Sequence, residues 1–302
     1  MISVIIPVYN GERYISQCYE SLKQQSVNDW EAVFINDGSC DNSYYILKDI
    51  ARQDSRLKIV DKENEGVAVA RETGIRVATK EIVTFLDVDD TLEPNALETY
   101  VSSLTSDSID VVFSGINILS EDGKIIDIVS YQQADYCRED CLNMLSDGRL
   151  RWQVWAKAFR KKIFKDVHVP KGLRIGEDMA VCFQTIVASR KIKILSDCLY
   201  NYVQLESSVT HKRNDTVTLD AFKAIRCIED SVGKYISKEN LDCIYLLVSS
   251  SSLHMGISTG NGVLRGHIKS HLKIKHFKRI SMKKILNLIL AYYFHINLAK
   301  LL

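Results

Sequence analysis

The chain has 302 residues, 46% of them hydrophobic and 25% charged, enough to bury a large α/β core and too apolar for wholesale disorder. Its net charge is +1, yet nine of its 39 Lys and Arg residues follow Asp242 and none of its 38 acids does; an acidic body carries a basic tail. Eight cysteines without a CxxC pair exclude a zinc-ribbon type of site, and three prolines exclude a Pro-rich linker protein.

The opening MISVIIPVYNGERY has no basic leader, and its apolar run stops at Pro7. It reads as a buried strand rather than a signal peptide, with a reducing cytoplasm as the expected compartment. Four short runs rich in β-branched residues follow one another: Ser3 to Val8, Glu31 to Ile35, Arg56 to Val60 and Glu81 to Leu86. Helical periodicity fills the gaps. Between Glu12 and Gln25 the residues Tyr14, Ile15, Cys18, Tyr19 and Leu22 share one stripe, and Tyr44, Ile46, Leu47 and Ile50 form another. A βαβ series of this kind predicts parallel strands with helices over the sheet and ligands at the strands' carboxyl ends.

Further along, Val111 to Leu119 reads as a strand, and Glu121-Asp122-Gly123-Lys124 as a hairpin turn into Ile125 to Val129. Helices are expected over Asp140 to Ser146 and Asp178 to Ser189, and an extended segment over Lys191 to Tyr202. From Thr216 onward helical patterns dominate. The predicted division is a domain over residues 1–215, with halves meeting near residue 110, and a helical region over 216–302.

Each early strand runs into a polar group at its carboxyl end: Pro7-Val8-Tyr9-Asn10, Asn36-Asp37-Gly38-Ser39 and Asp87-Val88-Asp89-Asp90. No GxGxxG follows the first strand and no GxxxxGK[ST] occurs, so phosphates would need another means of neutralisation. On an acidic edge a divalent cation supplies it. In an extended segment Asp87 and Asp89 would point to one side, roughly 7 Å apart, with Val88 turned away. The competing reading makes Asp89, Asp90 or Thr91 the cap of a helix containing Pro94.

Five motifs in order, VIIPVYNGERYI (4–15), INDGSCDNS (35–43), NEGVAVARETG (64–74), FLDVDD (85–90) and GEDM (176–179), resemble the inverting glycosyltransferases of family 2. The segments from Trp155 to Arg160 and from Tyr202 to Thr210 extend the likeness to the bacterial branch that makes surface polysaccharides. The resemblance covers roughly residues 1 to 212. It implies a GT-A fold: α/β, Rossmann-like, with a mostly parallel central sheet flanked by helices, here followed by a helical C-terminal region.

Carried over residue by residue, the resemblance makes Asp37 the acceptor of a hydrogen bond from uracil N3, with Pro7 and Tyr9 walling the base, and so implies a UDP-sugar donor. Asn64 and Arg71 become donor-site residues, although Glu72 stands where the family usually has Asn. Asp87 faces the ribose or uridine side, Val88 lies in the same donor-binding stretch, and Asp89 is the ligand of Mn²⁺ or Mg²⁺. Asp178 is the general base and Glu177 an acceptor-orienting neighbour; His211 stands near the metal or diphosphate. Trp155 offers a flat ring to an acceptor sugar, with Lys157 beside it, against the alternative that Trp155 is core.

In the tail, residues 265–284 hold eight Lys or Arg and three His and precede an apolar run from Ile285 to Phe294. Two readings stand side by side: a peripheral contact with the cytoplasmic face of a membrane, or an amphipathic helix packed on the protein or on the twin subunit of a homodimer. No nucleic-acid-binding module accompanies the charge. The expected function is transfer of a sugar to the hydroxyl of a carbohydrate or lipid-linked glycan. The alternative is a catalytically silent sugar-nucleotide-binding scaffold.

Overall fold

The computed structural model describes residues 1–205, 215–254 and 261–294. Its strands are β1 (Ile2–Val8), β2 (Trp30–Asp37), β3 (Leu57–Lys62), β4 (Ile82–Phe85), β5 (Thr91–Leu92), β6 (Ile109–Leu119), β7 (Ile125–Val129), β8 (Ala134–Tyr136), β9 (Lys157–Arg160) and β10 (Lys191–Val203). The helices are α1 (Ile15–Lys23), α2 (Ser43–Ala51), α3 (Val67–Val77), α4 (Ala96–Ser103), α5 (Arg138–Ser146), α6 (Glu177–Ala188), α7 (Asp215–Val232), α8 (Lys238–His254), α9 (Gly262–His271) and α10 (Met282–Phe294).

All strands join one sheet in the order β3-β2-β1-β4-β9-β6-β10-β5, with β7 on β6 and β8 on β10. The four strands expected from the β-branched runs lie parallel, Val4 pairing with Ala32 and Thr84. Helices cover such a sheet on both faces, so β1 and β2 are buried almost throughout and read as near-continuous apolar runs. Each fully buried Ile or Val of β1 contributes about 1.5–3 kcal/mol relative to exposure. On α1 the buried residues Ile15, Cys18 and Leu22 occupy one stripe, as their spacing requires. Beyond β4 the sheet is mixed: β9 enters antiparallel to both β4 and β6, and β10 lies parallel to β6.

The chain does not divide at residue 215. Its first compact unit comprises Met1–Arg138, Gln153–Gly172 and Ala188–Leu205; the second gathers Glu139–Trp152, Leu173–Val187 and the described residues from 215 onward. Most of α5 and α6 therefore groups with the C-terminal helices, and Asn240 of α8 donates to Asn143 Oδ1 of α5 at 3.0 Å. Within this second unit α8 contacts α7, α9 and α10. Asn261 caps α9 by accepting hydrogen bonds from the N–H groups of Val263 (3.0 Å) and Leu264 (3.2 Å).

The tail's apolar stripe is used inside the second unit: Ile285, Leu288 and Ala291 of α10 are buried. Some of its cations are also engaged there. Asp242 of α8 pairs with His271 at 2.8 Å and Lys273 at 3.2 Å, and Arg279 approaches Asp147 and Glu239. His267, stacked on Phe222 and Tyr245, is pushed down to about 4 by burial and adds no charge near neutrality. The packed-helix reading of the tail accounts for these contacts. Among the described residues no helix is long and apolar enough to cross a membrane.

Candidate active site

The loops after β1 and β2 are cross-linked by hydrogen bonds. Asn10, in the left-handed region at φ 51°, donates its N–H to Ser39 Oγ (3.0 Å) and accepts from the Cys40 N–H through Oδ1 (2.8 Å). Gly11 N–H donates to Ser43 Oγ, Glu12 N–H to Asp41, and the Glu12 carboxylate accepts from the Asn42 N–H. This turn leaves Pro7 half-buried and stands the Tyr9 ring out at 54% exposure, a face on which a planar base can stack.

Asp37, at the end of β2, is 3% exposed. Lys62 is its register partner on β3 and donates to Oδ1 at 2.6 Å, joined by the Glu65 N–H at 3.1 Å, while the Gly66 N–H donates to Oδ2 at 2.8 Å. A carboxylate has about four acceptor positions, so about one remains for a ligand N–H. Gly38 is irreplaceable here: its φ is +71°, and a Cβ would lie 2.6 Å from the Asn64 backbone nitrogen. Asn64 is exposed and accepts the Gly66 N–H at 3.2 Å, closing the loop that opens the N-terminus of α3. Such a terminus favours negative charge.

One turn into α3, buried Arg71 donates through Nη2 to Asp87 Oδ1 at 2.8 Å. Residues 87–90 form a turn closed by the Asp90 N–H on the Asp87 carbonyl at 3.0 Å, which corrects the expected extended segment. The reason lies in the next residues: Thr91 and Leu92 turn back as β5 to pair with Asn201 and Tyr200 of β10. The capping alternative also fails, since α4 begins only at Ala96, after Pro94 and with Asn95 at its N-cap. Val88 is half-buried and packs its side chain against the core, where a Cβ on Gly11 would meet it at 3.1 Å.

The three carboxylates are electrostatically unlike. Asp87 is compensated by Arg71. Asp89 is half-buried and its carboxyl is pushed up to about 6, first by burial and then by the charge of Asp87. Asp90 is 1% exposed and rises well above the usual range by burial and then by Asp89 and Asp87. It accepts the Tyr200 hydroxyl at 2.6 Å and the Val203 N–H at 2.8 Å, while the Tyr200 oxygen accepts the Asp87 N–H at 3.2 Å. Asp90 is thus the anchor of the turn and Asp89 its outward acid.

Among the described residues no group of three or more His, Cys, Asp or Glu is arranged as a metal cage. A hard cation that keeps water and substrate phosphate in its shell needs only one or two carboxylates from the protein. Asp89, raised by burial and by a neighbouring like charge, is an acid whose ionised form a cation would relieve, so the residues present fit such an ion. Tyr200→Phe removes the donor to Asp90 and is expected to lower stability by about 1–3 kcal/mol. Urea unfolding reads this; an unchanged midpoint would mean that Tyr200 does not anchor the turn.

Trp155 and Lys157, expected beside an acceptor, are core residues. Trp155 is 8% exposed and stacks on Tyr200 (4.7 Å) and Tyr202 (5.4 Å). Lys157 is 2% exposed, donates to the Gln153 and Trp155 carbonyls and lies 4.5 Å over the Phe113 ring. The lysine holds a bend whose centre, Ala156, has φ 55°.

In the second unit, Glu177 and Asp178 occupy the first turn of α6, Glu177 buried and Asp178 half-buried. Gly176 makes this start possible: its φ is +89° and a Cβ would lie 2.8 Å from Ala224 Cβ on α7. Gly176→Ala is expected to destabilise the protein by about 1–3 kcal/mol from backbone strain alone, measured as a lower urea midpoint; an unchanged midpoint would remove this constraint on α6. His211 lies outside the described residues. The structure thus brings Pro7, Tyr9, Asp37, Asn64, Asp87 and Asp89 to the carboxyl ends of β1, β2, β3 and β4, with Arg71 reaching Asp87 from α3.

The roles of Asp90 as anchor of the turn, of Tyr200 and Lys62 as its and Asp37's partners, and of Asn10, Ser39 and Asp41 as cross-links between loops are absent from the sequence pattern. Only the alternation of Tyr200 and Tyr202 on a predicted strand hinted at a shared buried face.

A family profile described as "Glycosyl transferase family 2" matches residues 3–166. The putative glycosyltransferase EpsH of Bacillus subtilis is 31% identical over 215 residues, 69% of this chain and 62% of EpsH; the chain therefore spans less than two thirds of that relative's length. Glycosyltransferase GlyG of Streptococcus pneumoniae is 30% identical over 71% of this chain and 74% of its own. Among solved structures, S. aureus TarS 1-349 in complex with UDP-GlcNAc superposes with a TM-score of 0.65 at 20% identity, covering 96% of this chain and 81% of that one, a likeness of fold.

Proposed function

The chain belongs to glycosyltransferase family 2, and from that premise we propose that it is a metal-dependent inverting glycosyltransferase. It moves a sugar from a UDP-sugar to a hydroxyl of a carbohydrate or lipid-linked glycan in bacterial surface polysaccharide synthesis, at the cytoplasmic face of the membrane. The observation that carries this reading is the acid turn at the end of β4. Asp87 is tied to Arg71 and Asp90 to Tyr200, which leaves Asp89 as the acid raised by burial and a like charge, beside a loop that opens a helix N-terminus. A site of this kind suits a diphosphate with its counter-cation and has little use for an uncharged ligand.

Tyr9 and the remaining acceptor position of Asp37 are assigned to the uracil ring, and the UDP-GlcNAc bound by TarS supports the choice of nucleotide. Asn64, Gly66 and Arg71 are assigned to the diphosphate and sugar side. A divalent cation on Asp89, when bound, supplies positive charge against the departing diphosphate. Asp178 is assigned as general base on the GEDM motif and its place in the first turn of α6. It takes the proton of the acceptor hydroxyl as that oxygen bonds to the anomeric carbon and the bond from that carbon to UDP breaks. One displacement inverts the configuration.

The test is UDP release by the purified chain from a panel of UDP-sugars, with Mn²⁺ or with EDTA, and with carbohydrate acceptors. Release from one donor, abolished by EDTA, is expected. No release from any donor with Mn²⁺ and acceptors would favour the scaffold reading.

A further inference from the structure

The same sheet carries a second cleft, at the opposite ends of its strands from the acid turn. Its volume is about 670 Å³, within the range of small-molecule sites. It lies between the C-terminal end of α3, the turn into β4, the end of β9 and the 3-10 helix formed by Lys161–Asp166. Glu81, which lines it, and Asp87 bracket β4, so the cleft is roughly 20 Å along the strand from the acid turn. A ligand there would not be a reacting group.

The lining is unusually positive for a chain whose body is acidic. Arg76, Lys80, Arg160, Lys161, Lys162 and Lys165 face two acids, Glu81 and Asp107, while Lys80 is paired outside the lining with Asp29 at 2.6 Å. Two of the cations are held by neutral oxygens. Arg160 donates to the carbonyls of Ile109 (2.9 Å), Leu104 (2.6 Å) and Ser106 (3.0 Å), and Lys161 to that of Ala78 (2.5 Å). These bonds fix the positions of the two positive charges without cancelling them. Asp107, 3.5 Å from Arg160, is fully exposed, and its attraction is screened by water. Asp110, behind the lining, accepts from Arg190 Nε and Nη2 and also lies 3.9 Å from Arg160 and 3.7 Å from Lys162, so it is shared among three cations and offsets only part of the positive charge. Ile75 and Phe164 add an apolar wall, with Phe164 packed edge-on against Phe85 and Phe159.

We propose that this cleft binds a phosphate-bearing ligand, with the fixed Arg160 and Lys161 creating the field, Arg76 and Lys165 closing on the phosphate, and Ile75 and Phe164 meeting its apolar part. Two sources share that chemistry: the headgroup of an anionic lipid and a free phosphomonoester. The first would seat the protein on a membrane through its sheet rather than its tail.

The experiment uses the full chain in EDTA, so that the acid turn holds no cation. Co-sedimentation with phosphatidylcholine vesicles, with and without phosphatidic acid, reads the lipid source. Calorimetric titration with glycerol 3-phosphate and with inorganic phosphate reads the free source. The comparison is Arg76→Gln/Lys165→Gln, two exposed side chains outside the proposed catalytic apparatus, whose UDP release is expected to match the wild type. The expected result is binding of one of the probes by the wild type and a loss of at least about tenfold in affinity in the double variant, about 1.4 kcal/mol. Vesicle binding of equal strength in both proteins would assign lipid contact elsewhere, the tail included, and overturn the proposal. So would failure of every probe to bind.

Discussion

Asp89→Asn is expected to cut metal-dependent UDP release by at least about 10²-fold and at the same time to raise the melting temperature of the metal-free protein. Both effects have one cause. In the native state burial and the Asp87 charge raise the Asp89 carboxyl to about 6 from an ordinary 3.8, so its ionised form is held at a cost that a cation would relieve. Asparagine keeps the shape and removes the charge, together with the metal's carboxylate. A few degrees of added stability, at roughly 2–4 °C per kcal/mol for a chain of this order of size, is the expected gain in EDTA.

The pH dependence has a definite sign. Between about 3.8 and about 6 the unfolded chain has released a proton that native Asp89 still holds. Stability of the metal-free protein therefore falls as pH rises through this window and levels off above it. Asp89→Asn is expected to flatten that part of the curve and to bring the Asp90 carboxyl down as well, since burial raises it first and the Asp89 charge next. Mn²⁺ affinity runs the other way, growing as pH rises through about 6, because the ion needs the carboxylate. Melting curves in EDTA across this range and Mn²⁺ titrations check both statements. A variant that retains turnover, or melts lower than the wild type in EDTA, would remove Asp89 from the proposed role.

Asp178→Asn is expected to lower turnover by about 10²–10⁴-fold, the usual contribution of a positioned general base, with UDP affinity unchanged within about twofold. The separation follows from the division of labour: the residues assigned to the nucleotide lie on the loops after β1, β2, β3 and β4, whereas Asp178 is in the first turn of α6. Since the carboxylate is half-buried at a helix N-terminus, the amide is also expected to leave the fold intact. Loss of UDP binding together with turnover would show that the variant disturbs the donor side instead. Full activity would move the base elsewhere; Glu177, buried in the same turn, is the next residue to substitute.

Much of the first unit was readable from local pattern. Runs such as VIIPV and AVFIND can only be strands buried on both faces, and the stripe Ile15, Cys18, Leu22 only a helix lying on them. A parallel βαβ series places its loops at one edge, so Tyr9, Asp37 and Asp89 were bound to approach one another once the order of strands was known. Periodicity and turn chemistry are properties of neighbours in the chain, and they survive any tertiary arrangement.

What the pattern could not carry is the identity of distant partners. The bond from Tyr200 to Asp90 joins residues 110 apart in sequence, and it is this bond, with β5 pairing onto β10, that turns the Asp87–Asp90 segment from an extended strand into a tight loop. The same strand lays Tyr200 and Tyr202 over Trp155 and makes a candidate sugar platform into core. Likewise the helices expected over Asp140 to Ser146 and Asp178 to Ser189 fall within the predicted domain of residues 1–215, yet most of α5 and α6 joins the C-terminal unit. An amphipathic face declares only that it must be covered. Which surface covers it is settled by the pairing of segments far apart in the chain.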